Sequence, residues 1–176
     1  MTERSPAPGG LTLVEALVNT LDIESGADAL DTPEGRARLG ITPEETDRAR
    51  TLRESLRATL LAHAGHPPHR EVTPLGDLLA EAPLLVAVDA ADGSAALTPA
   101  DDRSLLARVA AAVAEALVAG TWTRLKACEA ADCHWAYYDR SPAGRGRWCS
   151  MQVCGARVKM RRYRAKDVAK DAAKDA

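Results

Sequence analysis

Cysteine is missing from the first 127 of 176 residues, phenylalanine is missing throughout, and no apolar run outlasts residues 109–114. A bilayer span needs about 20 consecutive apolar residues, so a transmembrane helix is excluded. The opening "MTERSPAPGG" is polar and the apolar stretch after it is broken by Glu15. No secretory segment is therefore expected, and a cytoplasmic location is. In a reducing compartment, clustered thiols are expected to be metal ligands rather than disulfides. No nucleophile elbow, phosphate-binding glycine loop or metalloprotease helix occurs, so the chain is expected not to be an enzyme.

What is present gathers at one end. Cys128, Cys133, Cys149 and Cys154 lie within a 27-residue window, and all six aromatics (Trp122, Trp135, Tyr137, Tyr138, Trp148 and Tyr163) fall from position 122 onward. The net charge of −2 averages over opposite halves. Residues 1–121 carry 10 Lys/Arg against 19 Asp/Glu, a balance of −9; residues 122–166 carry 11 against 3, a balance of +8; the last ten residues add −1. The chain divides accordingly into an N-terminal domain (1–120), a cysteine-bearing segment (121–166) and a charged tail (167–176).

The first piece reads as α+β, mostly helical with one small hairpin. Thr-Pro dipeptides at Thr32-Pro33, Thr42-Pro43, Thr73-Pro74 and Thr98-Pro99 each read as a helix start, since Thr caps an orphan N–H and Pro fits the first helical position. Glu45 completes a capping box with Thr42. That helix runs to about Ala64, before Gly65, with Ala49, Leu52, Leu56 and Leu60 as its apolar stripe. Further helices are expected over Leu11–Leu21 and Pro99–Val118. An Asp-Gly turn signal between short apolar runs predicts a β-hairpin from Leu84 to Leu97. In the tail, Asp167 can meet Lys170 and Asp171 can meet Lys174 on a solvated helical extension.

The cysteines are spaced C-x4-C, fifteen residues, C-x4-C. Two close pairs joined by a hairpin-length loop suit a tetrahedral site in which each pair supplies two thiolates, so one structural Zn²⁺ held by Cys128, Cys133, Cys149 and Cys154 is expected. So small a region cannot build its own core, and metal binding would supply folding free energy. Four cysteines fill the coordination sphere, which leaves His134 out. Trp135–Tyr138 and Arg147–Trp148 read as two short strands flanking a Ser-Pro-Ala-Gly-Arg-Gly turn. Ser150 then caps a helix to Lys166, with Cys154 near its first turn. Hairpin followed by helix resembles a treble-clef or zinc-ribbon-like finger ending in a basic helix.

"RLKACEAADCHWAYYDRSPAGRGRWCSMQVCGARVKMRRYRAK", residues 124–166, resembles the zinc finger of the CGNR family, which shares the spaced cysteines, a Tyr/Phe-Asp-x-Ser stretch, Arg-Trp-Cys-Ser-Met and a basic helix. "LTLVEALVNTLD" and "DALDTPEGRARLG" are similar to the ABATE domain that usually precedes that finger. The resemblance implies a zinc-containing, DNA-binding transcriptional regulator whose ABATE part senses stress or binds a ligand, a small-molecule effector. One position departs: Ala156 stands where the family signature has Asn.

On a helix, Arg157, Arg161 and Arg164 form one stripe, with Lys159, Arg162 and Lys166 on roughly the opposite flank. Like charges four residues apart repel unless an anion neutralises them, and a phosphate backbone is one such anion. Arg145 and Arg147 in the turn add a second contact region, and Arg157, Lys159 and Arg161 are the candidates for reading base edges. The competing reading pairs these cations with the acidic N-terminal half of the same chain. That alternative makes the protein a zinc-stapled module for ligand, protein or RNA, without sequence-specific DNA binding. Trp135, Tyr137, Tyr138 and Trp148 are expected to form the finger's core beside the metal, with base stacking as the other option. His63, His66 and His69 read as a surface loop, since Gly65 and Pro67-Pro68 break any common face. Asn19 and Thr20 read either as a local helix cap or as lining a ligand pocket.

Overall fold

A computed structural model of the chain describes residues 5–101 and 103–172, including their side chains except those of Arg162 and residues 166–172. The Arg162 and Lys166 contacts and the tail ion pairs expected above lie outside the described side chains. The chain is mixed helix and sheet. In order come α1 (Leu11–Val18), α2 (Pro33–Leu39), α3 (Thr46–His63), α4 (Leu75–Leu79), the hairpin strands β1 (Leu84–Val88) and β2 (Ala95–Pro99), α5 (Leu105–Val118), the short strands β3 (Leu125–Ala127) and β4 (Ala136–Tyr138), and α6 (Ala156–Ala172).

The caps explain the helix starts. Thr32 Oγ1 accepts from Gly35 N at 3.1 Å with Pro33 in the first helical position of α2. At Thr42 the capping box forms, with Thr42 N donating to Glu45 Oε2 at 3.0 Å. It opens a 3-10 turn over Pro43–Glu45 that feeds α3. The expected stripe of Ala49, Leu52, Leu56 and Leu60 is buried, but so are Arg53, Glu54, Ser55 and Arg57. α3 is a central helix, packed by α1, α4, α5 and β3, so its polar side also lies inside.

Three boundaries differ from expectation. α1 stops at Val18, where Asn19 caps it and Leu21 turns off to bridge Asp28. The fourth Thr-Pro does not start a helix: Pro99 ends β2 opposite Leu84, and α5 begins six residues later. Proline is tolerated at such an edge because it need not donate to a ladder there. Arg147–Trp148 is not a strand, and β4 pairs instead with β3, in the register Leu125↔Tyr138, Lys126↔Tyr137, Ala127↔Ala136. The Asp139 carboxylate causes this. It accepts from Ser141 N (3.0 Å), Ser141 Oγ (2.7 Å) and Gly146 N (2.7 Å), closing the turn so that residues 147–148 run on toward Cys128. There the Arg147 carbonyl accepts from Glu129 N at 2.9 Å. A Cβ on Gly146 would stand 2.9 Å from the Asp139 carboxyl carbon, so the turn needs glycine.

One core holds the helices and the β3–β4 ladder together: Leu17, Leu56, Leu60, Val109, Trp122, Leu125, Ala127 and Ala136 belong to the same buried cluster. Asn19 ties the ladder to α1, its Nδ2 donating to Ala136 O (3.0 Å) and its Oδ1 accepting from Ala136 N (2.7 Å). The side-chain amide thus substitutes for a neighbouring strand. Asn19→Ala is expected to leave both Ala136 backbone groups unpaired and to cost about 2 kcal/mol, read as a lowered urea midpoint. An unchanged midpoint would mean that water replaces the amide.

Candidate metal centre and basic face

The second, smaller buried cluster consists of Cys128, Ala130 and Cys154, with Cys133, Cys149, Trp148 and Val158 against it. Cys128 follows β3 directly, and its N–H donates to Trp135 O at 3.0 Å. The chain then folds tightly, with Ala130 O accepting from both Cys133 N (2.8 Å) and His134 N (3.1 Å), and His134 takes a φ of 45°. The second pair sits on the approach to α6. Ser150 Oγ accepts from Val153 N at 3.2 Å and caps a π-helical turn, Met151–Gly155, that carries Cys154 inward.

These two turns bring all four Sγ atoms within 4.8 Å of one another. Cys149 Sγ lies 3.6 Å from both Cys133 Sγ and Cys154 Sγ, and none of the four is in a disulfide. Four sulfurs at about 2.3 Å from a zinc ion stand about 3.8 Å apart, so the spacing of this donor set suits the ion. The thiols also share charge as a ligand set does. Hydrogen bonds from Cys133 and Cys149 bring the Cys128 thiol down to about 2. The Cys133 thiol is pushed up to about 12 by its hydrogen bond to Cys128, and Cys149 and Cys154 are raised as well. One thiolate forms readily and the next are resisted, a resistance that a divalent cation removes. His134 Nδ1 faces Cys128 O at 2.9 Å, outside the sulfur cluster.

A buried ion pair braces the site from behind. Lys126 Nζ reaches Asp139 Oδ2 at 3.0 Å and also donates to Gly144 O. Burial opposes ionisation of Asp139, but hydrogen bonds from Ser141 and Lys126 overcome it and hold the carboxyl well below its usual range. Lys126 stood out in no sequence pattern, because a lysine inside a three-residue strand carries no periodicity.

The aromatics do not all gather at the metal centre. Only Trp148 packs on the cysteines. Trp122 and Tyr138 belong to the main core, and Trp135 is partly exposed. The reason is β4, which pairs into the main core and takes its neighbours there. Of the histidines, His63 and His69 are partly buried rather than on a surface loop. His63 Nδ1 meets Leu125 O at 2.8 Å and its ring stands edge-on to Trp122, while His69 Nε2 meets Glu54 Oε2 at 3.0 Å. His66 approaches Glu129 at 3.6 Å. Asn19 is held by Ala136, and Thr20 Oγ1 donates to Leu17 O and accepts from Arg53, so both side chains are engaged within the fold.

The basic side chains separate into two groups. Arg157 pairs with Asp132 (2.9 Å) and with Glu24 of the N-terminal half (3.0 Å), and Arg161 also reaches Asp132. Arg147 pairs with Glu129 at 2.6 Å and lies over the Trp148 ring. Arg145, Lys159 and Arg164 are exposed. Beside Lys159 runs an apolar groove of about 460 Å³ lined by Trp148, Met151, Val158, Met160 and Tyr163.

Comparison with protein families matches residues 124–167 to the CGNR zinc finger and residues 11–120 to ABATE, described as "Putative stress-induced transcription regulator". Comparison with curated proteins gave no match. Among the described residues, no helix is long and apolar enough to cross a membrane.

Proposed function

The chain belongs to the ABATE family and carries a CGNR zinc finger after its ABATE domain, and on that premise we propose that it is a zinc-containing, DNA-binding regulator of transcription. Cys128, Cys133, Cys149 and Cys154 hold one structural Zn²⁺ as thiolates. The ion supplies a fixed tetrahedral crosslink and, with four sulfurs around it, no open position for catalysis. A non-enzymatic, cytoplasmic role with the N-terminal domain sensing an effector completes the reading. The observation that carries it is the convergence of four Sγ atoms within 4.8 Å at the foot of a basic helix.

Charge pairing divides the labour on that helix. Arg157 and Arg161 are spent on Asp132 and Glu24 and set the angle at which α6 leaves the metal centre. Arg145, Lys159 and Arg164 remain for phosphates. Each phosphate contact contributes a slope of about −0.9 in log affinity against log salt, so three cost roughly 40-fold between 50 and 200 mM. Fluorescence anisotropy on a random duplex should show that loss, and Arg145→Ala, Lys159→Ala and Arg164→Ala combined should flatten the slope by nearly three. The second reading, a self-docked helix serving a protein or RNA module, is favoured by the Arg157–Glu24 pair. Weak duplex binding that barely responds to salt would select it.

A further inference from the structure

One stripe of α5 reaches the surface. Arg108, Ala111, Glu115 and Val118 recur at helical spacing and, with the buried Ala112 and the capping Ala119, floor a groove of about 800 Å³, whose far wall is the hairpin face of Val86, Leu97 and Pro99. Val118 is 82 % exposed and Val86 69 %. The apolar surface continues along the same hairpin face at Val88, which pairs with Ala95, and among the described residues the β1–β2 hairpin pairs with no third strand. A small-molecule site encloses most of its ligand. Apolar surface that spreads over a helix, a hairpin and two open strand edges marks contact with another protein.

We propose that this face is the interface of a homodimer, covered by the same face of a second copy related by a two-fold axis. The charges single out a second copy. Arg108 and Glu115 stand seven residues apart, about 10.5 Å along the helix, with Ala111 and Ala112 midway between them. Laid antiparallel about an axis at Ala111–Ala112, two stripes bring the Arg108 of each copy to the Glu115 of the other, while the small side chain of the half-buried Ala111 lets the helices approach. Parallel stacking would set like charge on like. Arg108 is held at its end of the groove by a 2.5 Å bond to Leu39 O. The inference stands apart from the DNA reading, although two fingers on one dimer would address two half-sites.

Sedimentation equilibrium of the full-length, zinc-loaded chain without DNA tests it. The wild type is expected at twice the chain mass at micromolar concentration. Val118→Asp, at an exposed position where folding is not at stake, should raise the dimer dissociation constant at least 100-fold. Arg108→Glu and Glu115→Arg should each weaken the dimer at least 10-fold, whereas an equimolar mixture of the two should re-dimerise with near wild-type affinity, because both contact pairs are then oppositely charged again. A wild type that stays monomeric to 100 µM, or a Val118→Asp chain that stays dimeric, overturns the proposal. A mixture no tighter than its components overturns the two-fold crossing; should Arg108→Glu fail to fold, Val118→Asp alone decides.

Discussion

Stripping the metal with a chelator under reducing conditions is expected to melt residues 147–165 and to leave α1, α3, α5 and the β3–β4 ladder folded. Among the described residues, the cluster around the thiols has Cys128, Ala130 and Cys154 as its buried members, far too little apolar area to order α6. Metal binding in such sites supplies about 10–16 kcal/mol at neutral pH, so its loss is decisive locally. Leu125, Ala127 and Ala136, by contrast, are at most 1 % exposed in a core shared with α3, and nothing about them depends on the ion. Hydrogen exchange should therefore show amides of 147–165 losing protection while those of 125–127 and 136–138 keep theirs. Cys149→Ser should reproduce the pattern. Acidification should do so too, because each thiolate must take up a proton to release the metal. Unchanged protection in α6 after chelation would show that packing alone holds it.

The largest effect on global stability is expected at Glu54. Its carboxylate is buried between Arg53 (2.8 Å) and Arg57 (2.5 Å), and His69 reaches it at 3.0 Å. Arg57 is 1 % exposed, and its Nη2 donates to the Val18 and Leu21 carbonyls at the end of α1. Glu54→Ala leaves two guanidiniums in the core without their common anion, and breaking a buried pair in this way costs about 3–5 kcal/mol. Urea unfolding should give a midpoint lower by more than 1 M with little change in slope. Burial alone would raise the Glu54 carboxyl, but Arg57 and Arg53 hold it below its ordinary value. A depressed carboxyl stabilises the fold above its unfolded pKa, so this contribution is present at neutral pH and is lost as pH falls below the ordinary carboxyl range and through the depressed folded-state value. His69 acts in the same direction: burial lowers it despite the Glu54 bond, so protonation below about pH 6.5 favours the unfolded chain. A Glu54→Ala cost under 1 kcal/mol would mean that water reaches the arginines.

The four-cysteine cluster was legible because its signal is spacing, and spacing survives any detail of packing. Thr42 with Glu45 was legible for the same reason, since a capping box is local. The β3 strand was not. Leu125, Lys126 and Ala127 are too few for a period of two, and only the distant Asp139 makes a buried lysine affordable there. Arg53, Glu54 and Arg57 look like the wet side of an amphipathic helix in sequence. They are buried because His69, Asp28 and the end of α1 close over them, which is a tertiary fact. The basic helix was read as charge, but the pairing of Arg157 and Arg161 depends on Asp132 and Glu24, neither near it in sequence.

X-ray absorption at the zinc edge, combined with metal analysis of the purified reduced chain, bears most directly on all of this. One zinc per chain with four sulfur neighbours at about 2.3 Å is the expected spectrum. A chain that is fully ordered through α6 with no stoichiometric metal, or a metal shell containing nitrogen or oxygen in place of any of the four sulfurs, would contradict it.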